Sequence, residues 1–218
     1  MLNKYSVVIF DWDGTVMDSV GRIVSSMQAA ANSSGIAIPT EQAVKDIIGL
    51  SLDKALDRLF PQADEQQRLA LVDGYRDQYV TLNKTETPLF AGAEHLLNEL
   101  RDTGHYLAVA TGKARRGLNR VFESTALGDR FHTSRCADEA ESKPSPDMIH
   151  QIMTELSVEP EQTIMIGDSM YDMEMARSAG VARIGVTHGV HDHETLKDYQ
   201  PVLLADSLHD VKQFLLSK

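Results

Sequence analysis

The sequence is short of the residues that staple small secreted proteins: of its 218 residues, one is a cysteine, Cys136. A single thiol excludes an intrachain disulfide and a cysteine cluster for zinc, and it fits a reducing compartment. Basic residues are in the minority as well, 21 Lys+Arg against 32 Asp+Glu, for a formal net charge of −11. Nucleic-acid binders neutralise phosphates with a basic face, so no long polyanion is expected as partner; a small phosphate in a local pocket stays open. Long apolar runs are missing too. The first run, Val7-Val8-Ile9-Phe10, is cut off by Asp11 and Asp13, too early for a signal peptide or a membrane span. The expectation is a cytoplasmic protein without a membrane partner, with monomer and homodimer both open.

What is present suits a sizeable core: 42% hydrophobic and 24% charged residues describe an ordinary globular chain. At roughly 100–200 residues per domain, this is one large domain or one domain carrying an insert. Short apolar runs recur at Val7-Val8-Ile9-Phe10, Tyr106-Leu107-Ala108-Val109-Ala110, Thr163-Ile164-Met165-Ile166, Ala182-Arg183-Ile184-Gly185-Val186 and Val202-Leu203-Leu204. Each reads as a strand buried on both faces, and helical patterns lie between several of them, so the fold class is α/β with a parallel sheet. Residues 17–84 break the alternation. Ile23, Val24, Met27, Ala30 and Ala31 share one helical face, Leu52, Ala55, Leu56 and Leu59 a second, and Leu69, Val72, Tyr75, Tyr79 and Leu82 a third. A helical module is expected there, joined at Met17-Asp18 and at Thr85 to Pro88.

Polar residues gather where the strands end, and ligands of open α/β sheets bind at the carboxyl ends of strands. The first strand runs into Asp11-Trp12-Asp13-Gly14-Thr15. In extended chain two carboxylates two residues apart project to one side, so one can attack while the other handles protons. The second strand ends in Thr111-Gly112-Lys113-Ala114, a hydroxyl and backbone N–H groups suited to phosphate oxygens. Lys143, in Ser142-Lys143-Pro144-Ser145, offers a cation on a loop stiffened by proline. The third strand ends in Gly167-Asp168-Ser169-Met170-Tyr171-Asp172, where Asp168 suits a hard oxygen site for magnesium and Asp172 follows four residues later. Singly these read as a solvated turn, a helix cap by Thr111 or Asp168, and a surface lysine; together they outweigh those readings.

The four segments, in this order, resemble the four motifs of the haloacid dehalogenase superfamily, in its phosphatase branch with a helical cap after the first motif. The likeness to that family, in a branch like the phosphoglycolate phosphatases, extends over essentially the whole chain. It implies a Rossmann-like core of residues 1–16 and 85–218 with a cap of residues 17–84, and hydrolysis of a small phosphorylated metabolite such as phosphoglycolate. Asp11 would be the nucleophile that forms an aspartyl-phosphate. Asp13 would protonate the leaving oxygen and later activate water. Thr111, Gly112 and Lys143 would bind the phosphoryl group. Mg²⁺ would be held by Asp11, Asp168 and the main-chain carbonyl of Asp13, with Asp172 in support. Asp13 argues against true dehalogenases, which expel halide, and against phosphonatases, which carry a small residue there and use a cap lysine; Lys45 and Lys54 are the cap lysines here. A sugar-phosphate mutase of the β-phosphoglucomutase type, a pyrophosphatase, a nucleotidase and a phosphometabolite-binding module are the rivals.

Within the cap, the turn Ile48-Gly49-Leu50-Ser51 is expected nearest the substrate, so Gly49 joins the binding residues. His188, His191 and His193 have a spacing that tempts a transition-metal reading, but they follow a strand in a loop expected at the mouth of the site. Met165, Met170, Met173 and Met175 read as core or cap contacts, and Trp12 as packing beside the cap.

Overall fold

The structure, a computed structural model, describes residues 4–217. Six parallel strands form one sheet in the order β3-β2-β1-β4-β5-β6: β1 is Val7–Phe10, β2 Tyr106–Thr111, β3 Thr133–Cys136, β4 Thr163–Gly167, β5 Ala182–Val186 and β6 Leu203–Ala205. The order reverses at β1, whose neighbours β2 and β4 carry the second and fourth motifs. Phe10 pairs in register with both Val109 and Ile166, so Asp11, Thr111 and Asp168 emerge side by side at one edge.

The strand runs are continuously apolar because both sheet faces are covered. Val8, Phe10, Leu107, Val109, Ile164 and Ile166 pack on one face against helices α5 (Ala93–Asp102), α6 (Arg115–Thr125) and α10 (Leu208–Leu216). On the other face Val7, Ile9, Ala108, Ala110 and Met165 meet α7 (Asp147–Leu156) and α8 (Met170–Ser178). Helix α9 is the short His193–Lys197.

Between β1 and α5 the chain forms α1 (Val20–Ser33), α2 (Glu41–Lys45), α3 (Leu52–Leu59) and α4 (Glu65–Asp77), the last running on into a π-helical turn, Gln78–Leu82. They bury a cluster of their own around Ile23, Val24, Met27, Val44, Leu56 and Leu71. The two linkers of this insert lie side by side: Asp18 N–H donates to Pro88 O at 2.8 Å and Phe90 N–H to Val16 O at 3.0 Å.

Four sequence readings are corrected. Strand β3 is a half-buried stretch, Thr-Ser-Arg-Cys, with no apolar run to announce it. The last strand sits one residue later than expected. On α4 and its π-helical turn, Val72, Tyr75 and Tyr79 pack against the cluster as expected, with Leu71 buried beside them, while Leu69 and Leu82 at the two ends of the expected face are 61% and 59% exposed. Trp12 is fully buried in the sheet's own cluster rather than beside the insert, edge-on to Phe122 and Phe131 at 5.3 and 6.0 Å. Such aromatic pairs are each worth about 0.5–1.5 kcal/mol beyond their burial.

Candidate active site

The centre of the site is built by β1, β4 and the loop before α7. Lys143 is buried, and its Nζ donates to Asp11 Oδ1 at 2.7 Å and to Asp172 Oδ1 at 2.6 Å. Asp172 reaches it because Ser169 starts α8: the Ser169 main chain and hydroxyl both donate to Asp172 Oδ2, at 3.0 and 2.6 Å. The cap of α8 is therefore Ser169, not Asp168. Asp168 accepts from Thr15 Oγ1 and from Val190 N–H, both at 2.8 Å, which fixes its two oxygens. Gly14, at φ +83°, leaves room for it: a Cβ there would lie 2.1 Å from Asp168 Oδ2.

Two carboxylates thus hold one ammonium, a third lies close by, and all four groups are buried. Burial pushes the Asp11 carboxyl well above its usual range, against the pull of Lys143. Burial and the neighbouring Asp172 push Asp168 up to about 7. Burial lowers the Lys143 ammonium, but Asp11 and Asp172 outweigh it and hold the group protonated. Oxygens of Asp11, Asp168 and Asp172 all lie within 4.8 Å of one another. Both Asp172 oxygens are engaged, whereas the second Asp11 oxygen and the main-chain carbonyl of Asp13 accept no hydrogen bond among the described residues. An all-oxygen donor set with excess negative charge fits a hard divalent cation, for which the second Asp11 oxygen and the Asp13 carbonyl are open, while the Asp168 oxygens already accept one hydrogen bond each.

The Asp13 side chain stands apart from this cluster. Its Oδ1 accepts from the Ser19 hydroxyl and lies 2.8 Å from Lys113 Nζ. Lys113 also donates to the Tyr79 hydroxyl of the insert at 3.2 Å. Burial lowers the Lys113 ammonium, but Asp13 and Tyr79 more than reverse this. The sequence reading gave Lys113 no role. Its partner Tyr79 lies 34 residues away on another element, and a lone lysine after a strand carries no signal of its own.

Thr111 ends β2 and accepts from Lys113 N–H at 3.2 Å; helix α6 begins only at Arg115, with Ala114 before it, so Thr111 caps nothing. Gly112 sits under the insert, where a Cβ would come within 2.5 Å of Leu50 O and 2.6 Å of Gly49 O. The turn Ile48-Gly49-Leu50-Ser51 is therefore the part of the insert pressed against the strand ends, and Ser51 N–H donates to Ser142 Oγ, next to Lys143, at 2.9 Å.

The other tempting residues disperse. His188 stacks on Phe90 and contacts Thr15 O, His191 lies near Met170 N–H, and His193 is exposed beside Glu194, so the three do not converge. Lys45 pairs with Glu41, and Lys54 is exposed. Met165, Met173 and Met175 are core residues.

A carboxylate cluster at the switch point of a parallel sheet stands where open α/β sheets bind their ligands, and comparison with known proteins gives the class of enzyme. The family model for haloacid dehalogenase-like hydrolases matches residues 8–186, and the chain belongs to that family. It is 33% identical over 209 residues to a Dickeya dadantii protein called "Probable phosphatase IndB", covering 94% of this chain and 91% of that one. It is 27% identical to a phosphoglycolate phosphatase of Vibrio vulnificus, covering 98% and 97%. A crystal structure titled as a predicted phosphatase from Clostridium acetobutylicum superposes with a TM-score of 0.86 at 28% identity, over 98% and 99% of the chains. The chain is an enzyme of the family's phosphatase type.

Proposed function

We propose that this protein is a cytoplasmic, magnesium-dependent phosphatase that hydrolyses a small phosphate monoester, phosphoglycolate-like, through an aspartyl-phosphate on Asp11. The observation that carries the reading is the pairing of a buried Asp11, held by Lys143, with a second aspartate two residues on whose carboxylate is held separately.

In the first step an Asp11 oxygen forms a bond to phosphorus while the ester P–O bond breaks, and Asp13 gives its proton to the leaving oxygen. In the second, water attacks phosphorus, the Asp13 carboxylate takes its proton, and inorganic phosphate leaves as Asp11 is restored. Thr111, Gly112 and Lys143 hold the phosphoryl oxygens, Lys143 offsetting the repulsion between carboxylate and phosphate. Bound Mg²⁺, on Asp11, Asp168 and the Asp13 carbonyl, would supply further charge neutralisation. Asp172 orients Lys143. Residues 17–84 act as a cap on a core of residues 1–16 and 85–218, with Gly49 at its contact point, and this cap selects the leaving group.

The test is release of inorganic phosphate from small phosphate esters with Mg²⁺. Turnover should stop with EDTA, return with added Mg²⁺, and be absent in Asp11→Asn, which still folds because Asp172 keeps Lys143 paired. An isomerised sugar phosphate without inorganic phosphate would make the enzyme a mutase. Normal turnover in a folded Asp11→Asn protein would remove the nucleophile.

A further inference from the structure

The chemistry above makes no use of Lys113, yet its ammonium joins Asp13 to the far end of the helical insert, as the Ser19 hydroxyl joins it to the insert's first turn. It lies 2.8 Å from Asp13 Oδ1 and 3.2 Å from the Tyr79 hydroxyl, with the Tyr79 ring centroid 4.9 Å away. We propose that Lys113 is a positioning residue for Asp13, and that Tyr79 makes this positioning conditional on a seated cap. The proposal rests on the phosphatase reading.

Both protein donors to the Asp13 carboxylate, the Ser19 hydroxyl and the Lys113 ammonium, fall on Oδ1. Oδ2 takes no hydrogen bond among the described residues. Oδ2 is thus the Asp13 oxygen left for the leaving group and for water, so one oxygen serves both steps in a fixed direction. Little solvent competes: the side chains of Lys113 and Asp13 are 10% and 12% exposed. Left to itself, a lysine ammonium on a flexible four-carbon stem does not hold one geometry. Here its main chain is tied to the core, Lys113 O accepting from Ala137 N–H at 2.9 Å, while its tip rests on a phenol of the insert.

That phenol lies where α4 widens into the π-helical turn Gln78–Leu82, an irregularity that recurs at functional sites. Tyr75, one turn earlier, packs against Tyr79 with ring centroids 5.8 Å apart and backs it. Lifting the cap takes Tyr79 away from Lys113. The Lys113 ammonium then loses the contact that fixes its direction at Asp13, and the acid is held in one geometry only when the site is covered.

The test compares kcat/KM for two esters in the full-length protein with Mg²⁺. Phosphoglycolate needs a proton on its leaving oxygen, whereas p-nitrophenolate departs from p-nitrophenyl phosphate without one. Because kcat/KM reports the first irreversible step, loss of Asp13 positioning should appear on phosphoglycolate alone. We expect Lys113→Met to lower that kcat/KM about 10–100-fold, within the range of general acid catalysis, and to change the aryl ester less than about threefold. Lys113→Arg should recover part of the loss. Tyr79→Phe should shift the same ratio in the same direction by a smaller factor, and it decides the matter if Lys113→Met does not fold. Equal losses on both esters, or no loss, overturn the proposal; a ratio moved by Lys113→Met but not by Tyr79→Phe overturns its cap half. Failure of the wild-type protein to hydrolyse either ester would instead defeat the phosphatase reading.

Discussion

At the scale of single residues, the site is a set of charges that tolerate burial only as a group. Removing one partner of a buried ion pair leaves the other uncompensated, which costs about 3–5 kcal/mol. Lys143→Met strands Asp11 and Asp172 at once, so it should lower the melting temperature by about 10 °C for a chain of this size, and abolish turnover. A thermal melt near wild type would mean the cluster does not need its ammonium. His105 makes a second case, away from the site. It is 3% exposed, its Nδ1 lies 3.1 Å from Leu100 O, and its buried Nε2 has no partner among the described residues. Burial holds its pKa below the ordinary 6.5, so as pH falls the unfolded chain takes up a proton that the folded chain refuses. Stability is therefore complete above about 6.5 and is lost as pH drops through the depressed folded value, by at most about 1.4 kcal/mol per pH unit for one proton. Burial lowers His132, His188 and His191 in the same sense. His105→Gln, which keeps a donor but cannot charge, should make denaturation midpoints between pH 6.5 and 5 less steeply acid-dependent; an unchanged slope would take His105 out of that loss.

At the scale of elements, the strand ends and helix starts put the chemistry in place. Ser169 caps α8 in a reciprocal box with Asp172, so one serine both starts the helix and aims the carboxylate at Lys143. Ser169→Ala should cost about 1 kcal/mol, or about 2–4 °C in melting temperature, and lower activity far less than Lys143→Met does, because Ser169 N–H still holds Asp172. Melts and phosphate release on the two variants check that order. This level was the most legible in the sequence. Strands buried on both faces read as apolar runs, and Asp11, Thr111 and Asp168 stood directly after three of them. Strand β3 stayed hidden because an edge strand of Thr, Ser and Arg needs no apolar run. The inward face of α4 is legible in Val72, Tyr75 and Tyr79 but not at its ends, where Leu69 is exposed in the first turns and Leu82 ends the π-helical turn that breaks the 3.6-residue period. Lys113 was quoted within its motif and given no role, since its importance lies in a contact between elements that no local pattern records.

At the scale of the whole molecule, the insert has its own apolar cluster, and polar contacts join it to the strand ends. Tyr171 donates to Asp46 O at 2.7 Å and accepts from Arg58 at 2.8 Å, Ser51 meets Ser142, and Lys113 meets Tyr79. Hydrogen bonds of this kind are each worth only about 0.5–1.5 kcal/mol net, so lifting the insert about its paired linkers is a small step compared with unfolding it. The tightest approach is backbone on backbone, Gly49 and Leu50 carbonyls over Gly112. Gly112→Ala puts a Cβ into that gap without a strained φ, and the carbonyls must retreat from it. If the closed arrangement is the working one, kcat/KM for phosphoglycolate should fall at least about tenfold, by exposure of the site to water and displacement of Tyr79. With the proposed metal site on Asp11, Asp13 and Asp168, stabilisation by saturating Mg²⁺, about 2.7 kcal/mol at a hundredfold excess over Kd, would not involve the insert and should survive. Inhibition by inorganic phosphate separates the two roles that Gly112 could have. Phosphate affinity falling in step with the ester would place the effect on the phosphate itself, whereas phosphate affinity retained while the ester slows would place it on the cap. Full activity in Gly112→Ala would mean that the enzyme turns over without the insert pressed down on the strand ends.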